Sequence, residues 1–265
     1  MSDYDHTDKV LDKDNSYIRK QVLKLSVETY KTVNSIFGKV ITFSLPLIIL
    51  YSLYPFMFLE TNLPSYEIAK IEKAIGLFFG LFFMPVVAIF VHRHILLKEE
   101  NYASWYFLLG LFRGRYWKFM INTWFFLIMY WLMLFSIIIV SGKSYNLPFF
   151  VIFIWLALIL YLQARLSLCF PIIATNQKGW IIKSFKLTEN LGWSLPLAFF
   201  SILLPSILIQ TFLLVLFQIN FNNYTFDIIP IFLIGIFEVI LRIYMVSLLA
   251  VFFSNVYLIV TKSKN

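Results

Sequence analysis

The sequence predicts an all-α integral membrane protein of about six transmembrane helices with cytoplasmic amphipathic interfacial helices. Three observations carry that expectation. Of its 265 residues, 60% are hydrophobic and only 14% charged, with a mean hydropathy of +0.81. A soluble domain of this size could not cover so much apolar side chain with so few charges. Runs without a charged residue repeatedly approach the ~20 positions needed to cross about 30 Å of hydrocarbon at about 1.5 Å per residue. Finally, the basic residues gather on one side of those runs.

Taken in order, residues 1–15 are polar, with Asp3, Asp5, Asp8, Asp12 and Asp14 against Lys9 and Lys13. They are expected to form a disordered acidic tail. The tail lacks the basic start, apolar region and cleavage site of a signal peptide, so the N-terminus is expected to be retained. Residues 16–38 carry Ile18, Val22, Leu25, Val33 and Ile36 at helical spacing, surrounded by Arg19, Lys20, Lys24, Lys31 and Lys39. This pattern predicts an amphipathic helix that either lies in the headgroup region or packs on the protein's own cytoplasmic loops. The remainder, 39–265, reads as a six-span membrane domain with spans at about 40–59, 74–91, 119–141, 147–169, 194–217 and 228–261. Pro46, Pro85, Pro196 and Pro205 fall inside spans, where a neighbouring helix can re-satisfy the carbonyl that a proline strands.

Basic residues orient the spans. Of the 22 Lys and Arg, only Lys70, Lys73 and Lys143 fall on one side and only Arg165 and Arg242 within spans. All the others share the opposite side. Both termini are therefore expected in the cytoplasm. The net charge of +8 then reads as contact with anionic headgroups rather than with nucleic acid. The single cysteine, Cys169, excludes an intrachain disulfide.

Two stretches share an order of parts. After the second span come Arg93, an amphipathic segment bearing Trp105, and a basic cluster of Arg113, Arg115 and Lys118. After the fourth come Arg165, the segment Trp180 to Leu191 with Lys183 and Lys186, and Gly192 as a helix end. Two helix pairs, each joined by a cytoplasmic amphipathic helix, fit this order, by duplication or by convergence.

The sequence Arg165-Leu166-Ser167-Leu168, with Pro171, Gly179, Lys183-Ser184, Leu187-Thr188 and Trp193, resembles the signature half of a bacterial inner-membrane family. That family comprises the YciC-like proteins and the membrane domain fused to glycerophosphodiester phosphodiesterases. His92-Arg93, Leu96-Leu97, Glu99 and Arg113-Gly114-Arg115 are similar to its first cytoplasmic connection. The resemblance covers roughly Ala88 to Trp193 and implies an inner-membrane protein of about six helices without an established activity. No stretch of this chain is composed like the soluble phosphodiesterase domain, so that chemistry does not carry over.

Candidate site residues follow. Arg93, Arg113, Arg115, Arg165, Lys183 and Lys186 could form a lipid-headgroup site, although Arg165 by itself reads first as a helix anchor at the membrane edge. Glu238 and Arg242 are four apart and can pair on one helix face. Near the outer surface such a pair is structural, whereas deep in the membrane it would handle an ion or substrate. His92 and His94 are two apart and point to different helix faces, so a helical metal pair is not expected. No HExxH, GxSxG or P-loop is present, and no cofactor, metal or enzymatic activity is expected. Asn122, Gln163, Gln210 and Asn255 read as helix–helix hydrogen-bonding groups. The primary expectation is a non-catalytic membrane protein whose partners are lipids. The alternative is a small transporter or permease with proline hinges and a polar site around Glu238 and Arg242.

Overall fold

The computed structural model describes residues 3–53, 74–76, 78–99, 114–143, 149–221 and 228–262, and every regular element among them is helical. The helices are α1 (Asp3–Leu53), α2 (Met84–Leu97), α3 (Gly114–Lys143), α4 (Phe149–Leu166), α5 (Cys169–Ala174), α6 (Trp180–Leu187), α7 (Ser194–Phe221) and α8 (Ile228–Lys262). A 3-10 turn, Glu189–Leu191, separates α6 from α7.

Helix α1 is the frame on which the others pack. At 51 residues it is about 77 Å long. Val22, Leu25, Val33, Ile36, Val40, Phe43, Leu47 and Tyr51 are buried along one stripe, at spacings of three, four and eight. Lys20, Lys24, Lys31 and Lys39 are exposed on the other side.

Helix α1 runs from Asp3 to Leu53, so 16–38, read from the sequence as an amphipathic helix, continues unbroken into the first span. The physical reason is that nothing between Ser16 and Leu53 stops a helix before Pro46, and an internal Gly38 costs only about 1 kcal/mol. The buried face of 16–38 packs on the C-terminal half of the chain. Arg19 Nε donates to Asn190 O at 2.8 Å, and Tyr30 OH donates to Ile202 O at 2.9 Å. Phe37 sits edge-on to Tyr244, whose hydroxyl donates to Asn34 Oδ1.

The second candidate span, Ala74–Leu97, runs antiparallel to α1. Phe43 stacks on Phe90 at 4.0 Å, and Tyr51 meets Phe79 edge-on at 5.3 Å. It runs in the same direction as α8, because Arg242 meets Gly76 and Ser254 meets His92. The span is interrupted at Phe83, ahead of Pro85, where Val86 N–H turns back to Phe83 O instead of continuing the regular ladder.

Four described helices are long and apolar enough to cross a membrane: Ser16–Leu53, Ala74–Leu97, Ala157–Ala174 and Gly235–Lys262. The count becomes five if the bent pair Trp180–Leu191 and Ser194–Pro205 is one span. The expected stretches 119–141 and 194–217 lie inside α3 and α7. Residues 54–59 of the expected first span, 147–148 of the fourth, and the segment around Trp105 lie outside the described residues. In hydrocarbon, packing and polar contacts rather than the hydrophobic effect hold such helices together. The polar contacts therefore locate the working parts of this bundle.

Candidate headgroup-facing site

Helix α6 is bounded by two glycines that the backbone requires. Gly179 has φ +69° and Gly192 has φ +52°, ψ −133°, conformations a Cβ disfavours. Between them α6 and the 3-10 turn are bent 97° from the start of α7. The sequence WIIKSFKL then sorts its side chains. Ser184 and Leu187 point inward, while Ile181, Ile182, Lys183 and Lys186 are exposed, Ile182 by 68%. Trp193, 53% exposed, extends the apolar edge and packs against Tyr161 at 5.1 Å.

A clasp made by Arg165 holds α6 against the end of α4. Arg165 Nη2 donates to Phe185 O at 2.9 Å and Nε to Thr188 Oγ1 at 3.3 Å. Its guanidinium carbon lies 5.2 Å from the Phe185 ring centroid and 5.8 Å from that of Tyr161. In return, Ser184 Oγ donates to Arg165 O at 2.7 Å. That carbonyl is in the last turn of α4, where helical partners run out. Cys169 Sγ, buried, adds a weak contact to Trp180 O at 3.6 Å.

Arg93 does the same for α5. Its Nη1 donates to Ala174 O, the last residue of that helix, at 2.9 Å. Its Nε donates to Glu99 Oε2 at 2.6 Å, and Nη2 forms an ion pair with Glu99 Oε1. A cation at a helix C-terminus also complements the helix dipole. Glu99 O is in turn 2.9 Å from His94 Nδ1.

These contacts redraw the expected site. Arg93 and Arg165 direct their guanidinium groups to main-chain carbonyls of two different helices, α5 and α6, rather than converging on one headgroup pocket. Arg113 lies outside the described residues, and Arg115, in the first turn of α3, is half-buried. Of the six residues, Lys183 and Lys186 are the two that stand exposed on α6. Lys183 Nζ also donates to Gln177 Oε1 at 2.5 Å, and Tyr257 OH reaches the same oxygen at 3.2 Å. Sequence reasoning passed over Ser184 and Thr188 as working groups. Their signal was two hydroxyls four apart on the face of α6 that Leu187 shares.

Glu238 and Arg242 do pair. Arg242 Nη2 and Glu238 Oε1 form an ion pair, with Nε donating to the same oxygen at 3.1 Å. Tyr51 OH donates to Glu238 Oε2 at 3.1 Å, and Arg242 Nη1 donates to Gly76 O at 2.9 Å. The guanidinium lies in a notch left by two glycines. A Cβ at Gly76 would meet Arg242 Nη2 at 3.3 Å, and one at Gly80 would meet Nη1 at 3.7 Å. The side chains stay 44% and 32% exposed for Glu238 and Arg242. Gly76 and Arg93 are 17 residues apart, about 25 Å along the span, so this pair and Arg93 occupy opposite ends of it.

His92 is fully inside the bundle, with Nδ1 2.8 Å from Ser254 Oγ and the Phe119 ring 6.0 Å away. Asn122 is buried, and its Nδ2 has no partner among the described groups. No group of three or more His, Cys, Asp or Glu that could hold a metal occurs among the described residues.

No family model, curated protein or solved structure matches this chain. What the fold and site define is an all-helical protein with several helices able to cross a membrane, Arg93 and Arg165 turned onto main-chain carbonyls and the lysines of α6 turned outward.

Proposed function

We propose that this is a non-catalytic, multi-pass protein of a bacterial inner membrane, of the YciC-like kind, that engages anionic lipid headgroups through its cytoplasmic face. In this reading it has six spans, α3 and α7 being two of them, and both termini are cytoplasmic. The observation that carries the reading is the 97° bend between α6 with its turn and α7. If α7 crosses the bilayer, α6 lies nearly in the membrane plane. Its exposed Ile181 and Ile182, with Trp193 beyond, then enter the acyl boundary, and Lys183 and Lys186 reach phosphates. Each lysine near an anionic leaflet contributes about 1 kcal/mol. Arg165 and Ser184 act indirectly, by fixing α6 in that attitude.

The test is lipid retention. The full chain in nanodiscs containing 30% phosphatidylglycerol is compared with the Lys183→Gln, Lys186→Gln variant by native mass spectrometry. Two phosphate contacts at about 1 kcal/mol each predict a roughly thirtyfold loss in preference for the anionic lipid. Equal retention by both proteins overturns the proposal.

A further inference from the structure

Two proline-containing helical segments, the span Ala74–Leu97 and α7, share a contact. Pro85 lacks the N–H that would bond Leu81 O, and Pro205 lacks the one for Ser201 O. In each case a tyrosine from another helix donates to the carbonyl three residues before the proline. Tyr116 OH on α3 donates to Phe82 O at 2.6 Å, and Tyr30 OH on α1 donates to Ile202 O at 2.9 Å. Tyr116 is 2% exposed, so its hydroxyl is turned into the bundle at the break. At Pro205 the helix continues through the proline, whereas at Pro85 it is interrupted at Phe83.

Helix α8 contacts the span on both sides of that interruption, but the other partners differ, α3 ahead of it and α5 beyond it. Ahead of it, Gly76 O is held by Arg242 and Phe82 O by Tyr116, with Gly76 and Gly80 leaving room for the guanidinium. Beyond it, His92 meets Ser254, and Arg93 meets Ala174 O and Glu99. Among the described residues, the part ahead of the break receives two single side-chain donations to its main-chain carbonyls. The part beyond is tied to α5, α8 and Glu99.

We propose that the span Ala74–Leu97 is a two-part helix whose N-terminal part pivots at Phe83–Met84–Pro85 and is latched by the Tyr116 hydroxyl and the Arg242 guanidinium. The latch is reversible by nature, because each donor can leave its carbonyl without breaking the packing of the part that follows. Arg242 has Glu238 to retain it when Gly76 O moves away, so release strands no cation. The Tyr30 contact at Pro205 is the fixed counterpart, since there the helix is unbroken.

Pulsed electron–electron resonance on the full chain in nanodiscs tests this. Spin labels are placed at Phe78→Cys, in the pivoting part, and at Ile182→Cys on α6, in a Cys169→Ala background. The parent gives one narrow distance. Tyr116→Phe, which keeps the ring, and Arg242→Met, which removes the donor to Gly76, are each expected to add a second distance. Losing one hydrogen bond of ordinary strength raises the open population about three- to tenfold. Tyr30→Phe leaves the distribution single. An unchanged distribution in both latch variants overturns the proposal, and so does a second distance in Tyr30→Phe equal to that in Tyr116→Phe.

Discussion

Replacing Arg165 by Met keeps the aliphatic stem and removes the guanidinium that fastens α6. The donation to Phe185 O at 2.9 Å is a bond from a charged group, worth about 1.5–3 kcal/mol. The cation over the Phe185 ring adds about 0.5–1 kcal/mol. The 3.3 Å contact to Thr188 Oγ1 is long and adds little. The total of about 2–4 kcal/mol corresponds to a roughly 30- to 1,000-fold rise in local opening. Because Phe185 is half-buried and its carbonyl can turn to water, the lower part of that range is expected. Hydrogen exchange by mass spectrometry in nanodiscs reads it on the amides of 183–190, with those of α8 as the internal reference. Arg165→Lys, which keeps charge without the planar fork, recovers only part of the protection. Unchanged exchange across 183–190 in Arg165→Met would refute the clasp. Full recovery by lysine would show that Arg165 acts as a charge at the membrane edge.

Other substitutions probe the remaining contacts. Ser254→Ala strands the buried His92 Nδ1 and is expected to cost about 1–3 kcal/mol, read as a lower midpoint in thermal unfolding in detergent. His92→Phe in that background restores part of it by removing the stranded group. Gly192→Ala forces a Cβ at φ +52°, ψ −133° and is expected to destabilise by about 1–3 kcal/mol in the same assay. Gly76→Ala, whose Cβ would lie 3.3 Å from Arg242 Nη2, pushes the guanidinium off Gly76 O. It should raise amide exchange at 78–82 and leave α6 unchanged.

Much of the architecture was legible in the sequence because uncharged run length and helical spacing are local properties. Glu238 and Arg242 were legible as a pair for the same reason, being one turn apart. Gly192 was legible as a helix end because a positive φ selects glycine. The division of labour between the cations was not. Arg93, Arg165 and Arg19 find main-chain carbonyls, at Ala174, Phe185 and Asn190, and an acceptor carbonyl leaves no mark on residue identity. A cationic cluster therefore looked like one surface when its arginines serve separate helix ends. The burial of His92 was not legible either, because its partner, Ser254, lies 162 residues away. The boundary drawn at residue 38 followed the change in charge along α1, but helix continuity depends on backbone and packing, and Thr29, Val33, Ile36 and Val40 form one buried stripe across it.

The attitude of α6 to the bilayer is the claim on which the headgroup reading stands, and depth measurement tests it most directly. Single spin labels walked along 181–187 and 194–205 in nanodiscs report relative access to oxygen and to a polar relaxation agent. The account predicts shallow depths throughout α6 that alternate with the helix face, Ile181 and Ile182 at the acyl boundary and Lys183 and Lys186 at the phosphates, then a steady descent of about 1.5 Å per residue along α7. A steady descent through α6 itself would make Trp180–Pro205 a broken or re-entrant span and contradict the account.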